Sequence, residues 1–287
     1  MDIFFYIGLA FTGFGAGLLG ALLGLGGGVF VVPALILIFG VPELKAIGTS
    51  NVAVVATSTA GASTYVRSRL ANIRLGLVLL ISTTLAALVS SLVASLLPAR
   101  LLSGLFAIVL FYVAVTMLRS GKTKDLPLRP LESGDRTSQA LGLEGTYHDA
   151  ASGQTERYSP RNVRSGMGIS ALAGVTAGLL GVGGGIVQMP VMNLLMRIPL
   201  KVATGTSNFM IGVSATSAAF VRYANGDVDP LLAVPTALFV FLGAKVGAWL
   251  VPRTPNARLK MIFGWVSIVT ALLMIMRALG FDIVPGR

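Results

Sequence analysis

The sequence carries GLGGGVFVVP from Gly24 and GVGGGIVQMP from Gly181, each followed by the tetrapeptide GTSN, at 48–51 and again at 205–208. Adjacent glycines break a helix and let backbone amides approach a ligand with no Cβ in the way. A short helix starting after each cluster, at Val29 and at Ile186, turns free amides and its positive dipole end toward that point, which suits an anion. GTSN adds side chains that can donate to an oxyanion without burying a charge. Gln188 stands where the first copy has Val31, which makes it the candidate for a donor particular to the second half. The expected substrate contacts are Gly26, Gly27, Gly28, Thr49, Ser50 and Asn51 from the first copy, and Gly183, Gly184, Gly185, Gln188, Thr206, Ser207 and Asn208 from the second.

Ordinary structural roles compete with each assignment. Small residues serve close helix contacts, Thr, Ser and Asn cap helices, and Pro33 and Pro190 kink or end a turn. Arg67 and Arg222 end corresponding segments of the two halves; they read as interfacial anchors, with attraction of anions at two mouths as the alternative. Lys245 is the one deep charge, read as snorkelling to the interface, with a place beside an anion pathway as its alternative.

What is missing narrows the chemistry. There is no cysteine and one histidine, His148, so no thiolate or zinc chemistry is expected. No Asp or Glu lies inside an expected span, which leaves no parts for a carboxylate relay, a carboxylate-held metal or acid–base catalysis. The glycine runs match neither dinucleotide nor P-loop spacing. The chain is therefore read as a non-enzyme without cofactor or metal.

The elements that must position these residues follow from composition. Hydrophobic residues make up 54% of the chain and charged residues 11%, with mean hydropathy +0.83, so the bilayer is the natural solvent. The net charge of +11 sits in gaps between apolar runs rather than on one face, which fits membrane orientation better than nucleic acid. Apolar runs near the ~20 residues that a hydrocarbon core needs occur at about 4–23, 46–66, 75–97, 101–119, 166–180, 204–223, 230–251 and 259–279. The first lacks a basic leader region and reads as a retained helix. Between the first and second run of each set lies a short apolar segment, too short to cross comfortably.

Residues 120–164 form the polar stretch, read as a cytoplasmic linker, in which GTYHDAASGQTERYSP predicts a small β-hairpin around Ser152 and Gly153. His148 and Asp149 within it read as solvated side chains. The divisions are 1–119 and 165–287 as two transmembrane repeats joined by that linker.

Residues 24–51 align with 181–208 without a gap at an offset of 157, matching the glycine cluster, both prolines and GTSN. This marks a duplication. Arg67, Arg69 and Arg74 make one loop of the first half basic, while the corresponding loop with Arg222, Asp227 and Asp229 is close to neutral; Arg253, Arg258 and Lys260 make the next one basic. Lys and Arg favour the cytoplasm, so equivalent loops face opposite sides and the repeats are inverted. The fold expectation is an all-α polytopic membrane protein of two inverted repeats, with about eight long transmembrane helices and two short glycine-broken ones.

Two halves each bearing GxGGG…P and then GTSN, separated by a polar linker, resemble the sulfite exporter TauE/SafE family of membrane permeases over nearly the whole chain. The resemblance implies a secondary transporter in the inner membrane that exports small sulfur-containing anions, such as sulfite, sulfoacetate or related sulfonates. It carries the substrate-facing role onto the glycine and GTSN residues named above. A small-anion channel and a non-transport membrane assembly factor are the alternatives.

Overall fold

Apolar segments without interior charge become helices because hydrocarbon offers backbone groups no partner beyond their own chain. In the computed structural model of the protein, residues 3–68, 70–121, 135–149, 154–250, 265, 268–276 and 279 are described. The first half holds α1 (Ile3–Leu23), α2 (Gly28–Leu37), α3 (Glu43–Arg67), α4 (Ile73–Ala94) and α5 (Ala99–Gly121). A connecting region follows, with α6 (Arg136–Ala140), β1 (Gly145–Asp149) and β2 (Gln154–Tyr158). The second half holds α7 (Val163–Leu180), α8 (Gly185–Pro190), continued by a π-helical turn at Val191–Leu195, then α9 (Leu200–Ala224) and α10 (Pro230–Leu250).

Among the described residues four helices are long and apolar enough to cross a membrane: Phe4–Leu23, Ile73–Ala94, Val163–Leu180 and Pro230–Leu250. The sequence expectation was eight. α3 and α9 are longer, 25 residues each, but buried Thr, Ser, Asn and Gly dilute their apolar character. They form the interior, and the four apolar helices stand outside them. Of the expected span at 259–279, residues 265, 268–276 and 279 are described, and 268–276 are helical; Arg253, Arg258 and Lys260 lie outside the described residues.

Helix partners are exchanged between the halves. α1 packs along α10, and α4 packs along α7. Small residues permit this closeness: a Cβ at Gly17 would run into the Val240 carbonyl, and one at Gly174 into the Thr83 carbonyl. Those two contacts are the same contact at the offset of 157. α3 and α9 cross each other in opposite directions, since Gly48 near the start of α3 abuts Asp227 beyond the end of α9, and Gly205 near the start of α9 abuts Leu70 beyond the end of α3. Outward stripes of Leu, Ile, Val and Phe cover the exterior, as on α10, where Leu231, Val234, Leu238, Leu242 and Trp249 are exposed. Lys245 lies on that exposed stripe, where its stem can snorkel past Trp249; it does not face the α3/α9 interior.

β1 and β2 pair antiparallel, with Gly145 opposite Tyr158 and Asp149 opposite Gln154. The side chains of His148 and Asp149 lie outside the described set. Asp135 caps two helices with one carboxylate, accepting from Ser138 N–H at 2.7 Å and Val163 N–H at 3.0 Å. The hairpin is held to the start of α4 by Asn72, whose Nδ2 donates to Leu143 O at 2.8 Å and Tyr158 Oη at 3.1 Å. Burial pushes the Tyr158 phenol up from its ordinary value, against the opposing effect of the Asn72 hydrogen bond.

Candidate functional site

The glycine clusters form two turns of the same shape. Gly24, Gly26 and Gly27 have φ of 69, 82 and 76°, and Gly181, Gly183 and Gly184 have 68, 77 and 72°. This left-handed backbone favours glycine and reverses the chain from α1 into α2 and from α7 into α8. The short helices then open identically: Phe30 and Val31 N–H both bond to Gly27 O, as Val187 and Gln188 N–H do to Gly184 O. The amides of Gly28, Val29, Gly185 and Ile186 have no earlier helical carbonyl to pair with, and they open toward the glycine turns.

The two turns meet. A Cβ on Gly28 would collide with Gly181 O, and one on Gly185 would lie 2.5 Å from Gly24 O. Between them sit the branched side chains of Val54 and Ile211, each within about 3 Å of the space that a Cβ on Gly26 or Gly183 would take. Val54 and Ile211 are fully buried with Ala215 in a small apolar cluster of their own. These residues too correspond at the offset of 157. They plug the centre with an apolar contact, and neither was singled out from the sequence, because a lone Val or Ile inside an apolar run carries no local signal.

Every GTSN side chain is completely buried. Ser50 Oγ donates to Gly181 O at 2.7 Å, and Ser207 Oγ donates to Gly24 O at 2.9 Å. Each serine of one half thus ties down the glycine turn of the other. Thr206 Oγ1 accepts from the Asn72 N–H at 2.9 Å, and Asn208 Nδ2 donates to Thr204 O at 3.0 Å. Thr49 Oγ1, both polar atoms of the Asn51 side chain and Asn208 Oδ1 have no hydrogen-bond partner among the described residues. Because a buried polar atom left unpaired costs about 1–3 kcal/mol, those positions are where a polar occupant gains most.

Gln188 adds asymmetry. Its Nε2 donates to Ser170 Oγ at 3.0 Å while its Oε1 has no partner among the described residues. It lines a narrow cavity with Gly183, Gly184, Ile211, Ser214 and Thr83, with room for little more than a water molecule. Ser170, Thr83 and Ser214 were not anticipated: a single hydroxyl in mid-helix returns its hydrogen bond to its own backbone, as Ser214 does to Met210 O, and gives no pattern to read.

One assignment changes outright. Arg222 is not an interfacial anchor: it is fully buried, with Nη1 on Asp227 Oδ2 at 3.0 Å and Nη2 on Gly178 O at 3.3 Å. Arg67 is exposed. The two do not correspond in space, because the offset of 157 pairs Arg222 with Tyr65.

Comparison with known proteins points to a family of membrane transporters. The sequence profile of the family described as Sulfite exporter TauE/SafE matches residues 9–274. A Bacillus subtilis (strain 168) protein named "Probable membrane transporter protein YunE" is 28% identical over 250 residues, covering 85% of this chain and 87% of its own. YdhB of the same organism, named in the same way, is 26% identical over 260 residues, covering 90% and 96%. A Xylella fastidiosa (strain 9a5c) protein, also named as a membrane transporter, is 26% identical over 272 residues, covering 93% and 92%. No solved structure matches the chain.

Proposed function

The chain belongs to the sulfite exporter TauE/SafE family, and on that premise we propose that it is a secondary transporter that exports small sulfur-containing anions, sulfite or a sulfonate such as sulfoacetate, across the inner membrane. The observation that carries this reading is the meeting of two glycine turns, each starting a short helix, next to interior helices α3 and α9 whose buried polar side chains include several atoms with no partner among the described residues. Backbone amides at Gly26, Gly27, Gly28, Gly183, Gly184 and Gly185, with Asn51, Thr49, Asn208 and Gln188, supply donors for an oxyanion. Ser50, Ser207 and Thr206 act by holding the turns and the α4 start in place, and their oxygens keep lone pairs for a protonated substrate.

The halves act as inverted repeats of 1–119 and 165–287, with the eighth span in 259–279 completing the second. Support comes from the antiparallel crossing of α3 and α9. A two-fold operation that reverses a membrane-crossing helix must have its axis in the membrane plane, as inverted repeats do. Exchange of α1 and α7 between the halves lets each half move against a shared centre. Alternating access then consists of opening one side of the Val54–Ile211 contact while the other stays shut. An anion leaving a cell with an inside-negative potential gains ~2.3 kcal/mol per charge per 100 mV, so no coupling ion is needed.

The test is uptake of labelled sulfite and sulfoacetate by proteoliposomes holding the purified protein. Saturable flux above empty liposomes supports the reading. Folded protein that moves neither compound refutes the substrate class.

A further inference from the structure

Tyr65 and Arg222 do the same job in the two halves. Tyr65 Oη donates to Ala21 O at 2.8 Å, and Arg222 Nη2 donates to Gly178 O at 3.3 Å; Ala21 and Gly178 are themselves separated by the offset of 157. Each side chain reaches from the end of its interior helix to the first helix of its own half. One is neutral and the other carries a buried charge.

The surroundings differ in the same sense. At the Tyr65 end, the space over Gly61 lies 3.2 Å from Asn208 Oδ1 and 3.4 Å from Tyr65 Cε2, so Asn208 is the neighbour of the Tyr65 ring. The offset carries that trio onto Ala218, Asn51 and Arg222. There the polar groups are unmatched: Arg222 Nε, Asn51 Nδ2 and Oδ1, and Thr49 Oγ1 are all buried with no partner among the described residues. Their counterparts Asn208 and Thr206 each have one. The unspent hydrogen-bonding capacity gathers at the Arg222 end of the α3/α9 crossing.

A fully buried guanidinium is stable only if its charge and its donor fork are met. Asp227 meets part of the need through one contact and is itself 15% exposed. Asp229, two residues on, is engaged as a cap, its Oδ1 accepting from Leu231 N–H at 3.0 Å. A planar fork at the same end of the crossing as an amide and a hydroxyl, where Gly48 abuts Asp227, suits an oxyanion with several oxygens.

We propose that Arg222, Asn51 and Thr49 form an oxyanion-binding station at one end of the transport path, occupied when an anion displaces Asp227 from the guanidinium. Resting on the transport reading above, this deepens it: the two ends of an otherwise symmetric path are chemically different. With the Arg67 loop cytoplasmic, the station lies at the outer end. An anion arriving there releases Asp227, frees the loop that follows α9 and loosens the closure against Gly178. Tyr65 at the other end holds its helix without attracting charge.

The readout is binding of sulfite to detergent-solubilised protein, measured as the shift in unfolding temperature over a sulfite titration and compared with chloride at matched ionic strength; flux is followed separately in liposomes. Arg222→Tyr installs the first-half residue and is expected to weaken sulfite binding tenfold or more in protein that remains monodisperse. Arg222→Lys keeps the charge without the fork and falls between. Asp227→Asn removes the competing carboxylate and is expected to bind sulfite more tightly than the wild type, its unfolding temperature depending more steeply on the anion. A purely structural ion pair predicts that Asp227→Asn and Arg222→Tyr weaken binding alike, and that result overturns the station, as does a folded Arg222→Tyr protein with wild-type affinity. Wild-type protein that binds neither sulfite nor sulfoacetate also overturns it. Binding without flux leaves the station standing and counts against the transport reading alone.

Discussion

Ser50 donates its hydroxyl to the carbonyl of Gly181, 131 residues away in the other half of the chain, at 2.7 Å. Its counterpart Ser207 makes the reciprocal bond to Gly24 at 2.9 Å. The pair locks each glycine turn to the opposite interior helix, so movement of one half is felt at the turn of the other. Ser50→Ala or Ser207→Ala strands a buried carbonyl and is expected to lower stability by about 1–3 kcal/mol. The double variant should depart from additivity, because the two bonds flank one contact. Equilibrium unfolding in detergent measures both effects.

Helix exchange between the halves depends on missing side chains. Gly17→Ala and Gly174→Ala place a methyl group against the Val240 and Thr83 carbonyls and are expected to destabilise by about 1–3 kcal/mol through overpacking. Gly15 and Gly168 have nothing within 4 Å of an added Cβ. Alanine there should be neutral or stabilise by up to about 1 kcal/mol. Melting curves that fail to separate the two pairs contradict the packing.

Val54 and Ile211 close the centre with an apolar contact rather than a polar one. Trimming both to alanine should open a leak: sulfite flux that no longer saturates and no longer exchanges, as in a pore. Efflux from preloaded liposomes distinguishes this from simple inactivation, which lowers flux at every concentration.

Asn72 joins the hairpin to the second motif, since its side chain bonds Leu143 and Tyr158 while its N–H bonds Thr206 Oγ1. Asn72→Ala leaves the backbone bond and removes the side-chain ones. Tryptic cleavage at Arg157 should accelerate several-fold while that at exposed Arg67 is unchanged, as followed by peptide mapping.

The duplication was legible because Gly24 to Asn51 and Gly181 to Asn208 keep their residue types in register, and the hairpin because turn formers at Ser152 and Gly153 separate two short runs. The fate of Arg222 was not legible. An arginine at the end of a long apolar run looks like an anchor, and its partner Asp227 lies past the helix end, brought back only by the turn that follows α9. Nor does a sequence say that α1 packs on α10 rather than on its own half, since Gly and Ala contacts carry no partner label. Lys245 shows the intermediate case: its spacing from Leu238, Leu242 and Trp249 already places it on the outward stripe. The Val54–Ile211 plug required three dimensions, because only the meeting of two breaks distinguishes those residues from their apolar neighbours.

The measurement that bears most directly on the account is counterflow of labelled sulfite in proteoliposomes, with and without an imposed potential, for the wild type and for the double variant Asn51→Ala, Asn208→Ala. Unlabelled sulfite on the opposite side is expected to drive transient accumulation of label, with bias toward the positive side under a potential, and a folded double variant is expected to lose both. Flux through the wild type without counterflow, or a double variant as active as the wild type, contradicts a duplicated anion site worked by alternating access.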